Sequence, residues 1–440
     1  MKHTKSILMA AVAALSIASA SAQEVIYVTG ATAFRSAANN TLYSLFGSRL
    51  YAYSGSSTND ASAIALYFTN CVLTNGQTVD IAVTWTGSEG GIQSVASGTN
   101  NVRVPFYNRS QISNAVGGAL TGPAPYKLAQ PDTDNMLAGT YTSLQKGVVG
   151  CSDSFQSASR FIANRRVEDG RTYRTLNMQA VGVVPYSWIA SKGFADNFPE
   201  RNMTYFNAVQ ALRQGYLTGN ALSGSLDQSG INIYTTGRNV DSGTRVIALA
   251  NLNYGVTRGV TQWQCTTTNG SVTSMILHPA KNLNGIITEA GGGGESSGGV
   301  VANYMTNVIT DSTVNDALSL GTTNYLIGYV SVADMTTARR TAGLVPLKYN
   351  GVEGRCYGAN GFTTLDAGYT NIITGKYPYW GYEFITFDNI SASANAKAFA
   401  NNLVTTIRGF ASTNSIIAPN IKLSDMQVER TADGGIINLK

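Results

Sequence analysis

At 440 residues and 43% hydrophobic content, the chain can bury two cores of ordinary domain size. Only 12% of its residues are charged, and the net charge of +5 is spread without any dense Lys/Arg block. That pattern excludes an electrostatic binder of nucleic acid. There are two histidines, and once His3 is set aside with the N-terminal segment, any His-based triad, metal site or phosphatase must rest on His278.

The chain starts with Lys2 and Lys5, an apolar core from Ile7 to Ile17, and small residues at Ala20-Ser21-Ala22. This is the layout of a cleavable signal peptide over residues 1–22, too short for a membrane span. No cysteine follows the cleavage site to carry a lipid anchor, and no later apolar run is long enough to cross a bilayer. A soluble periplasmic or secreted product is expected.

Four strand-to-helix turns then follow. Val25-Ile26-Tyr27-Val28 runs into Thr29-Gly30-Ala31-Thr32-Ala33-Phe34, ahead of a helix with Leu42, Leu45 and Phe46 at helical spacing. Ile81 to Trp85 runs into Thr86-Gly87-Ser88-Glu89-Gly90-Gly91, and Gly147-Val148-Val149-Gly150-Cys151 into Ser152-Asp153. The fourth strand, Ile231 to Tyr234, leads to Arg238-Asn239-Val240-Asp241-Ser242-Gly243-Thr244 and a helix from Val246. Helix starts carry unpaired N–H groups and the positive end of the dipole, so they suit a small oxyanion. Ser242 and Thr244 add hydroxyls, Gly243 lets the backbone approach, and Arg238 offers a bidentate fork. Taken singly, Ser242 and Asp153 read more readily as helix caps. Four such turns in one chain point to a composite site at the carboxyl ends of parallel strands.

In their order, these motifs resemble those of the phosphate-binding proteins of bacterial ABC-type phosphate transporters, a branch of the type II periplasmic binding proteins. That family's motifs run approximately T-G-A-x-x-T-F, G-S-S-G-G, F-G-A-S-D and R-x-D-G-S-G-T. Further likeness lies at Ile327-Gly328-Tyr329-Val330 and Tyr377-Pro378. The resemblance implies a two-lobed α/β fold, each lobe a mixed sheet flanked by helices, with hinge crossovers. It implies anion contacts from the Phe34 N–H, Ser88, Asp153, Arg238, Ser242, Gly243 and Thr244. Thr32 substitutes for a family hydroxyl that is Ala33 here. Two departures stand out: Val240 replaces an acidic residue that orients the arginine in the family, with Asp241 one step later, and Glu89 brings a charge near the site unless it points outward.

Residues 100–145 form an insertion rich in Gly, Pro, Asn and Tyr, read as a lobe-surface element or a loop at the cleft mouth. Gln179 to Tyr186 suits the first crossover, and Ile327 to Val332 the return. The expected division is 23–184 for the first part of lobe 1, 185–330 for lobe 2, and 331–440 for the return and C-terminal helix. Between them lie an amphipathic helix from Phe206 to Leu212 and a Gly-rich turn, Gly291 to Gly299, before another helix. Tyr382 to Phe387 and a helix from Ala394 to Phe410 complete the first lobe.

The four cysteines lack a C-x-x-C pair; the pairing Cys71–Cys151 with Cys265–Cys356 is one expectation and buried free thiols the other. The resulting expectation is a monomeric, non-enzymatic phosphate-binding protein without cofactor or metal, serving an ABC-type permease. An exported surface or matrix protein of the same fold, and an extracellular phosphatase, stay open as alternatives.

Overall fold

The computed structural model describes residues 23–117, 123–269, 271–283, 285–309, 323–355, 368–410 and 420–440. The expected signal segment 1–22 and Cys356 lie outside them. One mixed sheet organises the chain. Its first half comprises β1 (Val25–Gly30), β2 (Leu50–Tyr53), β3 (Ala65–Val72), β4 (Thr78–Thr84), β5 (Tyr126–Lys127) and β6 (Val149–Ser152). Its second comprises β8 (Tyr216–Thr218), β9 (Ile231–Thr235) and β10 (Thr323–Ser331). Between them run β7 (Asn177–Ala190) and β11 (Trp380–Phe387), giving the order β8-β9-β10-β7-β11-β6-β1-β4-β3-β2-β5.

The long strand β7 joins the halves. Residues 177–185 pair antiparallel with β11, whereas 186–190 pair antiparallel with β10. Fourteen residues span about 46 Å, enough to serve two sheet halves in turn. From Val181 onward the strand is buried at every position, as a strand covered on both faces must be. The architecture is the expected α/β one, two halves of mixed sheet with helices on their faces, but β7 makes the sheet continuous. The helices that matter here are α1 (Arg35–Phe46), α2 (Ser88–Ala96), α3 (Tyr205–Gln214), α4 (Gly243–Asn251), α5 (Gly298–Tyr304) and α6 (Ala394–Gly409).

Strand alternation explains the insertion. Ile26 and Val28 of β1, with Val79, Ile81 and Val83 of β4, face the main core beneath α1 and α6. Tyr27 and Ala82 face the other way, into a second core. That core is filled by Val104, Phe106, Tyr107, Ile112, Leu128 and Met136, all from 100–145, together with Phe161 and Tyr173. The insertion is therefore the second apolar cover of the sheet, anchored by the hairpin of Val104–Tyr107 with Thr142–Gln145.

Cys71, Cys151 and Cys265 are buried free thiols, which corrects the Cys71–Cys151 pairing. Cys71 is on β3 and Cys151 on β6, with β4 and β1 between them. Three strand spacings are about 14 Å, twice what a disulfide spans.

Phe106, with no exposed surface, packs its ring 5.0 Å from that of Tyr27. Phe106→Ala is expected to destabilise the chain by about 3–5 kcal/mol, the usual cost of emptying a core aromatic site. Urea unfolding followed by tryptophan fluorescence measures it; a loss below 1 kcal/mol would show the insertion to be an ornament.

Candidate functional site

The three parallel strands β1, β4 and β6 end side by side and bring the first three turns together. Gly30 is obligatory, since its φ is +132° and a Cβ there would overlap the Cys151 carbonyl. Thr29 and Thr86 share a hydroxyl hydrogen bond of 2.8 Å between the first two turns. The fourth turn arrives from the other half: the Glu89 N–H donates to the Asp241 carbonyl at 2.8 Å. Gly87, at φ +94°, leaves no room for a side chain against that carbonyl. The starts of α2 and α4 thus meet across the seam between the halves.

The predicted residues fall into two contact groups. In the first, Ser88 Oγ donates to Asp153 Oδ1, Tyr186 donates its hydroxyl to Oδ2 at 2.7 Å, and the Asp153 N–H donates to Ser88 Oγ at 3.2 Å. Gly243, the first residue of α4, lies so close that a Cβ would overlap both Asp153 Oδ1 and Ser88 Oγ. In the second, Arg238 Nη2 donates to Thr32 Oγ1 at 2.9 Å and Nη1 to Thr244 Oγ1 at 3.4 Å. The consecutive residues Ser242, Gly243 and Thr244 link the groups. Phe34 precedes α1 with its ring in the main core, and its side chain belongs to neither group.

Both capping readings fail. Ser242 is the N-cap of α4 but makes no capping bond; its hydroxyl is 1% exposed and has no partner. Asp153 caps nothing, and the next short helix, Gln156–Ala158, opens from Phe155. Glu89 does not point outward. It is fully buried, its Oε2 accepting from the Arg160 N–H at 2.7 Å.

Sequence reasoning missed what holds Arg238. Backbone holds it: Nε donates to the Glu295 carbonyl at 3.1 Å and Nη2 to the Ser296 carbonyl at 2.9 Å. Val240 instead packs into the second core. Tyr186 was missed too, having no motif around it. So was Glu383, a fully buried carboxylate whose oxygens have no partner; the one acid in the otherwise apolar β11 was the available signal.

Burial dominates the electrostatics. It raises Asp153 against the opposing pull of Ser88, Tyr186 and Arg238. Glu383 lies well above the carboxylate range through burial and the nearby Asp153. Burial also pushes Glu89, Asp241 and Asp433 up to about 7.

No family model and no curated protein matches this chain. The solved structures it resembles include phosphate-binding proteins. One is an ABC-type phosphate transport receptor from Vibrio cholerae, at 10% identity and a TM-score of 0.39, covering 90% of this chain and 99% of that one. Another is a phosphate-binding protein from Stenotrophomonas maltophilia, at 15% identity and a TM-score of 0.36, covering 92% of each chain.

A pH dependence of stability follows from the raised carboxylates. Unfolded, they titrate near about 4; folded, Glu89, Asp241 and Asp433 titrate near 7, so between those values the folded chain binds more protons. Stability is expected to fall as pH rises from about 4 to about 7 and then level off with respect to these groups. Glu89→Gln should flatten the slope. Unfolding midpoints across that range test this, and a midpoint rising steadily with pH would contradict it.

Proposed function

We propose that the chain captures inorganic phosphate in the seam between its two halves and, after export, passes it to an ABC-type permease. The observation that carries this reading is the Asp153 carboxylate, held by Ser88 and Tyr186 against the first residue of α4. A helix start with an unused N-cap hydroxyl attracts an oxyanion. An ionised carboxylate beside it only accepts hydrogen bonds, so the oxyanion must bring a proton. Phosphate near neutral pH has one and sulfate has none. The site residues on this reading are Thr32, the Phe34 N–H, Ser88, Asp153, Arg238, Ser242, Gly243 and Thr244.

The permease is a separate protein on this reading; among the described residues no helix is long and apolar enough to cross a membrane. Lobe 1 (23–184 and 331–440) and lobe 2 (185–330) would part to admit the ligand, with β7 and the return chain as hinges. The phosphatase alternative gains nothing from His278, which is 1% exposed and lies with Nε2 3.1 Å from Glu295 Oε1.

One feature favours the surface-protein alternative. Val240 and Ile286, from the chain between β9 and β10, are buried in the second core, and Lys281 pairs with Asp134 of the insertion at 3.3 Å. These contacts hold the halves shut.

Calorimetry separates the two readings. Protein freed of carried-over anion by partial unfolding should bind phosphate at micromolar or tighter, about −8 kcal/mol or better. No heat at millimolar phosphate would leave only the surface-protein reading. Asp153→Asn should narrow the phosphate-over-sulfate ratio, because an amide can donate to an unprotonated oxygen. An unchanged ratio in competition titrations would remove Asp153 from the selectivity role.

A further inference from the structure

Arg238 has five N–H groups, and four already donate to the Glu295 and Ser296 carbonyls and to the Thr32 and Thr244 hydroxyls. These bonds tie the turn before α1 to the turn before α4, so Arg238 is largely spent on holding the seam together. A second arginine lies near enough to feel its charge. Arg35 is the first residue of α1, three places after the Thr32 that receives Arg238 Nη2. Its Nε and Nη1 are shut off from solvent and have no hydrogen-bond partner.

That arrangement is costly as it stands. The guanidinium stays charged, and the unmet N–H groups on its Nε and Nη1 forfeit their hydration. The charges that act on Arg35 are those of Asp334, Arg238 and Asp60, and none of these carboxylates pairs with it among the described residues. Asp334 is occupied with the Ser331 hydroxyl at 2.8 Å and Asp60 with Ser56 and Ser62. Burial and the like charge of Arg238 both push Arg35 below the usual arginine range, the direction of a cation short of an anion. An oxyanion between the two guanidiniums would supply the missing acceptors and offset their repulsion.

We propose that Arg35 is the principal cationic contact of the bound anion, a doubly charged phosphate, while Arg238 is a positioning residue that assembles the seam around it. The proposal rests on the phosphate reading of the site and divides its two arginines by task. Arg35 has three unused N–H groups on Nε and Nη1, whereas Arg238 has one uncommitted N–H. Donor supply therefore favours Arg35 as the ligand contact.

The test titrates inorganic phosphate into wild type, Arg35→Gln, Arg35→Lys and Arg238→Gln, and records the unfolding midpoint of each protein without phosphate. Arg35→Gln should weaken phosphate binding about 30-fold or more, the lower end for truncating one partner of a buried charge contact. Its unliganded midpoint should equal or exceed that of wild type, because no hydrogen bond is lost and the burial cost of the charge, which outweighs the attraction of Asp334, is removed. Arg35→Lys should recover part of the affinity, a point charge replacing a planar donor. Arg238→Gln should lower the unliganded midpoint as well as the affinity. If Arg35→Gln binds phosphate like wild type, or lowers the unliganded midpoint as much as Arg238→Gln does, the assignment is overturned. Wild type that binds no phosphate removes the phosphate reading itself, and this assignment with it.

Discussion

The structure depends on a carboxylate placed against a helix start where no solvent reaches. Asp153 is 1% exposed, and what makes its position tolerable is two hydroxyl donors and the bare backbone of Gly243. Any side chain at 243 would separate α4 from the first half of the sheet. The same closeness forces glycine at 87, where α2 meets the Asp241 carbonyl. Small residues in these turns are thus conditions for two helix starts from different halves to meet, and the hydroxyls beside them supply the donors that water would otherwise give.

Around this point the chain builds a polar frame out of main-chain carbonyls. Arg245 Nη1 donates to the carbonyls of Gly292 at 2.9 Å and Gly293 at 2.8 Å, while Gln262 Nε2 donates to that of Gly293 at 2.8 Å. Tyr329 in turn donates to Gln262 Oε1 at 2.8 Å. The Gly-rich turn is thereby fixed, and its next carbonyls, Glu295 and Ser296, are those that receive Arg238. A carboxylate would orient one arginine strongly but would also cancel its charge. Carbonyl dipoles orient it and leave the full positive charge in the seam.

The four turns were legible because their signal is local: an apolar strand, a small residue, a hydroxyl, then a helix. Their convergence was legible from repetition of that pattern and from the resemblance it carries. What escaped was non-local. Tyr186 is 33 residues from Asp153, and Glu295 is 57 from Arg238 and acts through a carbonyl, which any residue possesses. The cysteine pairing failed for a related cause, since strand order in a mixed sheet does not follow chain order. The insertion showed its turn-forming composition, but its scattered apolar residues, Phe106, Ile112, Leu128 and Met136, become a core only beside Tyr27 and Ala82.

The second core also bears on how the seam can work. Val240 and Ile286 are 3% and 2% exposed, and both belong to the chain between β9 and β10. Drawing them out of the first half costs about 1.5–3 kcal/mol each by area burial alone. The turn that carries Arg238 and Ser242 also carries Val240, so the proposed anion site and this apolar latch belong to one piece of chain. On the proposed reading, a ligand that enters by opening must first meet that cost and then recovers it on closing, so the latch slows entry and exit together. Val240 is thus an apolar brace on the whole turn that carries Arg238.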